Sequence, residues 1–191
     1  MKSIKGSKTE KNLLKSFAGE SQARNRYTYF ASAAKNEGYQ QIYRIFEETA
    51  NQEKEHAKRM FKFLEGGELE ITATYPAGKI GTTAENLKAS AMGENEEHTK
   101  LYPEFAKIAE EEGYSEVAVM YNKISIAEKH HEERYLKLLK TIEDGSTYKK
   151  SAKTQWVCAN CGYIHEDSDA PEVCPACLHK KEHFYVMNET F

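Results

Sequence analysis

Aspartate is nearly missing from this chain. Of its thirty acidic residues only Asp144, Asp167 and Asp169 are aspartate, and the rest are glutamate. Glutamate is at home inside helices, whereas aspartate competes for backbone hydrogen bonds and favours caps and turns, so the bias predicts a largely helical protein. Cysteine is missing from the first 157 residues; Cys158, Cys161, Cys174 and Cys177 all follow. In a chain without an export signal, that clustering argues for a metal site over disulfides. No run approaches the ~20 apolar residues that a membrane span needs, and the mean hydropathy is −0.77. The opening MKSIKGSKTEKN is charged and lacks the apolar stretch of a secretion signal, so a cytoplasmic location and no membrane partner are expected. An excess of one charge is lacking too: net charge is −3 and no basic stripe dominates, which makes nucleic acid a poor default partner.

What is present reads as helix from about residue 9 to 143. Apolar positions recur at three and four residues through Leu13, Leu14 and Phe17, and again through Ile42, Ile45 and Phe46. Punctuation by Gly38, Gly66-Gly67, Pro76, Gly78, Gly81, Gly113 and Gly145 divides the stretch into four helices, roughly 9–36, 39–65, 82–112 and 114–143. Tight joints at Gly38 and Gly113 and a longer crossover at 66–81 give a four-helix bundle of ferritin-like arrangement. The expected organisation is a bundle over 1–143, a small, polar, basic linker over 144–154, and a unit over 155–191 too short for a large core of its own.

The helical part repeats itself. At a constant offset of 75, Gly38 meets Gly113, Tyr39 meets Tyr114, Phe46 meets Tyr121, Glu53 meets Glu128 and His56 meets His131. Tyr27 meets Tyr102 at the same offset, but Gly19-Glu20 meets Gly93-Glu94 at 74, so the second half holds one extra residue between Glu94 and Tyr102. Helices tend to absorb such an insertion as a π-bulge, and Pro103 removes a backbone hydrogen bond just beyond it. An irregular helix through 94–103 is the expectation.

The repeat also carries the chemistry. A Glu and a His three apart share a helix face. Given the glutamate and histidine content, about one such pair would arise by chance, but two at equivalent places in a repeat is another matter. Counting from Gly38 and Gly113 at 1.5 Å per residue brings Glu20, Glu53 and His56 to one level, and Glu94, Glu128 and His131 to the same level. Two glutamates plus two Glu-x-x-His motifs form the ligand set of di-iron and di-manganese bundles. Alone, each glutamate would read as a solvated helix face; six such groups buried together without metal would be very costly. Oxygen donors with two imidazoles suit iron or manganese. Glu97, inside the irregular stretch, is a candidate seventh ligand if the bulge turns it inward. Tyr27 and Tyr102 are candidates to hydrogen-bond ligand carboxylates. His98 and His130 lack a glutamate three residues earlier and read as flanking residues.

Cys158-x₂-Cys161, twelve residues, then Cys174-x₂-Cys177 is the pattern of a tetrahedral four-thiolate site. Spacing alone leaves zinc and a single iron both open. Trp156, Tyr163 and Phe184 would pack around it.

These residues together resemble the rubrerythrin family over essentially the whole chain, through Ala18-Gly19-Glu20-Ser21-Gln22-Ala23-Arg24, Glu53-Lys-Glu-His56-Ala57, Tyr102-Pro103 and the paired cysteine knuckles. The resemblance implies a ferritin-like bundle followed by a small rubredoxin-like β knuckle domain. It implies a non-haem di-iron centre served by Glu20, Glu53, His56, Glu94, Glu97, Glu128 and His131. In it Glu53 and Glu128 bridge, and Glu97 exchanges with His56 as the redox state changes. It implies a third iron on the four cysteines, replaceable by zinc, and a family role for Tyr27 and Tyr102 beside the ligands. The implied activity is a peroxidase that reduces hydrogen peroxide to water, defending an anaerobe or microaerophile against oxidative stress. Electrons would come from an external NADH-dependent reductase or a rubredoxin, and no glycine-rich phosphate loop marks a nicotinamide site here. A head-to-tail homodimer or higher homo-oligomer is implied as well. Rubredoxins usually carry glycine after the second knuckle, where this chain has Leu178. An oxygen-using iron-storage ferroxidase and a metal-free bundle with a zinc ribbon are the competing readings; the first leaves the cysteine unit without a purpose, and the second predicts a colourless protein.

Overall fold

A computed structural model describes residues 2–188; Met1 and residues 189–191, which fall in the spans expected for the bundle and the C-terminal unit, lie outside the described residues. The helices are α1 (Lys8–Asn36), α2 (Gln40–Phe61), α3 (Thr83–Glu96), α4 (Tyr102–Glu111) and α5 (Ser115–Glu143), and a five-residue π turn, Glu97–Leu101, joins α3 to α4. The π turn falls where the second half of the repeat holds its extra residue, and Pro103 sits in the first turn of α4, where a missing N–H costs least.

The joints follow from backbone accounting. Gly38 and Gly113 adopt φ of 87° and 82°. Each closes its helix with the same pair of hydrogen bonds: Gly38 N–H to Lys35 O and Tyr39 N–H to Ala34 O, and likewise Gly113 to Glu110 and Tyr114 to Ala109. The repeat also exchanges caps between its halves. Glu112 accepts from the Thr9 amide at 2.8 Å, and Glu37 accepts from the Thr83 amide at 3.0 Å. Each half thereby satisfies orphan donors at the helix start of the other. The second helix ends at Phe61, four residues short of the expected 65. Phe63 and Leu64 donate to Met60 and Phe61 in tighter turns, and Glu65 leaves the axis to accept from the Ile4 amide at 2.9 Å.

Helix α1 packs on α2, and α3 with α4 packs on α5. The apolar interior is split. One cluster gathers Leu13, Met60, Tyr102, Val117, Tyr121 and Ile124; the other gathers Tyr27, Phe30, Ile42, Phe46, Leu87 and Tyr135. Along α1, α2 and α5, and along α3 and α4 taken together, the chain leaves one cluster, passes the predicted ligands and enters the other. Burial of the two clusters thus holds a buried polar layer at mid-height.

The C-terminal unit is a three-stranded antiparallel sheet of order β2-β1-β3, with β1 Lys149–Cys158, β2 Ile164–Asp169 and β3 Phe184–Val186. Strand β1 begins inside the stretch read as a linker, with an irregular register between Lys149 and Thr154. Trp156 is fully buried with Cys158, Cys174 and Phe184, with Tyr163 packed against them. Arg44 donates to the Ala159 carbonyl at 2.8 Å and Tyr148 donates to the Gly38 carbonyl at 2.7 Å, so this unit docks at the Gly38 end of the bundle.

Candidate metal centre

Six predicted ligands meet in the polar layer as two overlapping quartets. Glu20, Glu53, His56 and Glu128 bring one donor atom each within 4.8 Å of one another, and Glu53, Glu94, Glu128 and His131 do the same. The two shared residues straddle both. Glu53 places Oε2 2.9 Å from His56 Nδ1 and Oε1 3.1 Å from His131 Nδ1; Glu128 places Oε1 3.0 Å from His56 and Oε2 2.9 Å from His131. Glu20 and Glu94 close the outer sides, at 3.9 Å from His56 and 3.7 Å from His131. Each of Glu53 and Glu128 therefore offers one oxygen to either position, the arrangement of a bridging carboxylate.

Hydrogen bonds orient the outer ligands crosswise. Tyr27, in the first half of the repeat, donates to Glu94 Oε1 of the second at 2.5 Å, and Tyr102 donates to Glu20 Oε1 at 2.5 Å. Burial, followed by the nearby Glu94 and Glu20 respectively, pushes both phenols well above their usual range, which keeps them protonated as donors. His131 Nε2 lies 2.9 Å from Gln52 Oε1, so its N–H donates there and Nδ1 faces the carboxylates. Sequence reading missed Gln52. At the repeat offset its counterpart is Ala127, so His56 lacks the equivalent anchor and is 17% exposed against 3% for His131.

The donor set fits a pair of divalent cations. Among the described residues, Glu20 Oε2, Glu53 Oε1, Glu94 Oε2, both oxygens of Glu128 and His131 Nδ1 are buried without a hydrogen-bond partner. Unpaired buried carboxylates are very costly. Four carboxylates carry four negative charges, which two dications would cancel. Without them the cluster holds protons. Burial and the charge of Glu53 raise Glu94 to about 8, and burial with Glu128 raises Glu20. Against the pull of burial, Glu128 and Glu53 hold His56 up at about 10 and His131 at about 12, while the two imidazoles overcome burial to bring Glu53 down to about 2.

Glu97 is not brought into either quartet. It is half-buried on the π turn and lines the cavity beside the cluster, its carboxyl raised by burial and by Glu94. His130 is exposed, and His98 braces the π turn through Glu132 at 2.6 Å, so both flank the centre as expected.

The four cysteines converge too. Cys158 and Cys177 Sγ are 3.7 Å apart, and Cys161 and Cys174 Sγ 3.6 Å. A tetrahedron with ~2.3 Å metal–sulfur bonds has edges of about 3.8 Å. Both knuckles make the same left-handed turn, Gly162 at φ 77° and Leu178 at φ 60°. The amides that follow, of Tyr163 and His179, reach the Cys161 and Cys177 sulfurs. Leucine in place of glycine thus preserves the N–H···S bond.

Comparison with known proteins agrees with this architecture. Residues 11–139 match the rubrerythrin family model and residues 156–185 the rubrerythrin rubredoxin-like domain. The chain is 60% identical over 190 residues to rubrerythrin from Porphyromonas gingivalis, covering all of this chain and 95% of that one. It is 57% identical to rubrerythrin from Nitratidesulfovibrio vulgaris, covering 98% of each. Nigerythrin solved in its fully reduced, all-ferrous state superposes with a TM-score of 0.63 at 34% identity, over 96% of this chain and 91% of that one. With both of its units matched and its relatives aligned nearly end to end, the chain belongs to the rubrerythrin family.

Proposed function

We propose that this protein is a di-iron peroxidase that reduces hydrogen peroxide to water, with electrons relayed through an iron on the four cysteines. The observation that carries the reading is the pair of quartets sharing Glu53 and Glu128, with six buried donor atoms left unsatisfied. Iron is favoured because the oxygen-rich donor set with two imidazoles suits it and because nigerythrin, a relative by fold and sequence, has been solved all-ferrous. Two ferrous ions held there would supply the two electrons that cleave an O–O bond, together with Lewis acidity toward its oxygens.

The chain's own residues account for the rest. Glu53 and Glu128 span both positions, while Tyr27 and Tyr102 hold Glu94 and Glu20 in place by hydrogen bonds. Gln52 locks His131, whereas His56 has only carboxylate neighbours and partial exposure, so His56 is the ligand free to withdraw. Glu97, waiting on the π turn, is the carboxylate able to replace it and to add one negative charge when the centre is oxidised. Arg44 lies next to the cysteine unit and nine residues before Glu53, about 14 Å along the helix. A head-to-tail homodimer would bring a second chain's cysteine site nearer the centre. An external NADH-dependent reductase or a rubredoxin would supply the electrons, in a cytoplasmic setting under oxidative stress. Among the described residues no helix is long and apolar enough to cross a membrane.

The test is anaerobic expression, iron and zinc analysis, and visible spectra before and after peroxide. About three irons per chain, with a thiolate-iron colour that bleaches on reduction and returns with peroxide, is the expected result. A colourless protein holding one zinc would reduce the cysteine unit to a structural clip and remove the relay.

A further inference from the structure

Beside the metal cluster lies a cavity of about 380 Å³, walled by α1, the π turn and the crossover. At ~30 Å³ per water molecule this is room for about a dozen, far more than hydrogen peroxide fills. Its walls are built. Tyr75 Oη donates to the Lys15 carbonyl at 2.8 Å and Gln22 donates to the Pro76 carbonyl at 2.8 Å, pinning the crossover across α1. The Tyr75 ring lies over Gly19, where a Cβ would stand 3.5 Å from it. On the opposite wall Gly93 also lacks a side chain, and nothing stands within 4 Å of where its Cβ would be.

The lining is mixed. Tyr102, one hydrogen bond from Glu20, lines it together with Glu97, charged side chains such as Arg26 contribute, and Leu101, Phe105 and Tyr75 supply apolar and aromatic surface. A reacting O–O group beside Tyr102 would have space in the same cavity for an organic substituent.

We propose that this cavity admits organic hydroperoxides bearing a compact apolar group, and that the protein reduces them at the same centre. The inference rests on the peroxidase reading and names a second substrate class for that site. The reaction balances as ROOH plus two protons and two electrons giving ROH and water. The O–O bond breaks, the distal oxygen leaves as water and the proximal one as the alcohol. The reduced ferrous pair is the reductant, and solvent supplies the protons.

The experiment mixes the full, iron-loaded, dithionite-reduced chain anaerobically with cumene hydroperoxide or hydrogen peroxide, following reoxidation by stopped flow and the product 2-phenyl-2-propanol by chromatography. The expected result is one alcohol per two electrons, at a rate above about a hundredth of that with hydrogen peroxide. Gly93→Leu, which fills the cavity from a helical position, and Leu101→Trp should each lower the cumene-to-hydrogen-peroxide rate ratio about tenfold or more. Saturation-transfer NMR on the metal-free chain should show 2-phenyl-2-propanol bound, and Gly93→Leu should abolish that signal. If hydrogen peroxide reacts while cumene hydroperoxide falls below that hundredth, or if the ratio ignores both substitutions, the proposal fails and the peroxidase reading stands. If neither peroxide reoxidises the protein, the peroxidase reading fails and the proposal with it.

Discussion

Gln52 shows how much of a metal site can depend on one side chain that binds no metal. By accepting a hydrogen bond from His131 Nε2–H it aims Nδ1 at the carboxylates, and it does so from a neighbouring helix. Gln52→Leu should weaken iron loading by about 10–100-fold in competition with a chromophoric chelator, without altering the thiolate-iron spectrum. Leu178 poses a different residue-level problem. It holds φ at 60° with 79% of its surface exposed, so little burial offsets the strain of a left-handed leucine. Leu178→Gly should raise the chain's stability by about 1 kcal/mol, read as a higher thermal midpoint of the metal-loaded protein. A lower midpoint would mean that the leucine packs against something it must keep.

At the scale of elements, the π turn is the part that distinguishes the two halves of the repeat. Both halves need a ligand glutamate and a tyrosine on inward faces, and the π turn absorbs the extra residue so that Glu94 and Tyr102 keep those faces while Glu97 is displaced toward the cavity. Deleting Thr99 should restore a plain α-helix with unchanged far-ultraviolet circular dichroism. Glu94 and Tyr102 would then stand seven residues apart, as Glu20 and Tyr27 do in α1, and both would still face the cluster, but Glu97 would lose the place beside the cavity that the bulge gives it. Peroxide turnover should then fall about a hundredfold, the usual consequence of misplacing reacting groups by an ångström or more. Unchanged turnover would show that the bulge is incidental. The irregularity was legible from an insertion in a repeat and a nearby proline. The resting place of Glu97 was not, because it depends on the cavity that the crossover builds.

Across the whole molecule, the polar layer couples stability to protons. In the metal-free chain Glu94 at about 8, His56 at about 10 and His131 at about 12 all lie above their ordinary values. The folded state therefore holds more protons than the unfolded one. That stabilisation is complete below the ordinary values and is lost as pH climbs toward the raised ones. Glu53, at about 2, works in the opposite direction, but only in acid. The urea midpoint of the metal-free protein should fall steadily from pH 6 to 9. Loading with ferrous iron should release protons and flatten the profile. A metal-free profile that rises over this range would contradict the proton-holding cluster.

The convergence of the six bundle donors and of the four cysteines was legible because its evidence is local or periodic. A Glu-x-x-His shares a helix face wherever it occurs, paired knuckles need only short loops, and a repeat copies both. Helix ends were legible where glycine must take a positive φ, as at Gly38 and Gly113, and misjudged at Phe61, where the distant Ile4 amide draws Glu65 off the axis. The sequence by itself determined the helical bundle, its joints, the bulge and which residue types converge. Tertiary structure alone decided the crossed tyrosine hydrogen bonds, the Gln52 anchor that makes the histidines unequal and the cavity under Tyr75. Each of these is a contact between elements far apart in the chain, set by how helices pack, a geometry that periodicity along one helix does not encode.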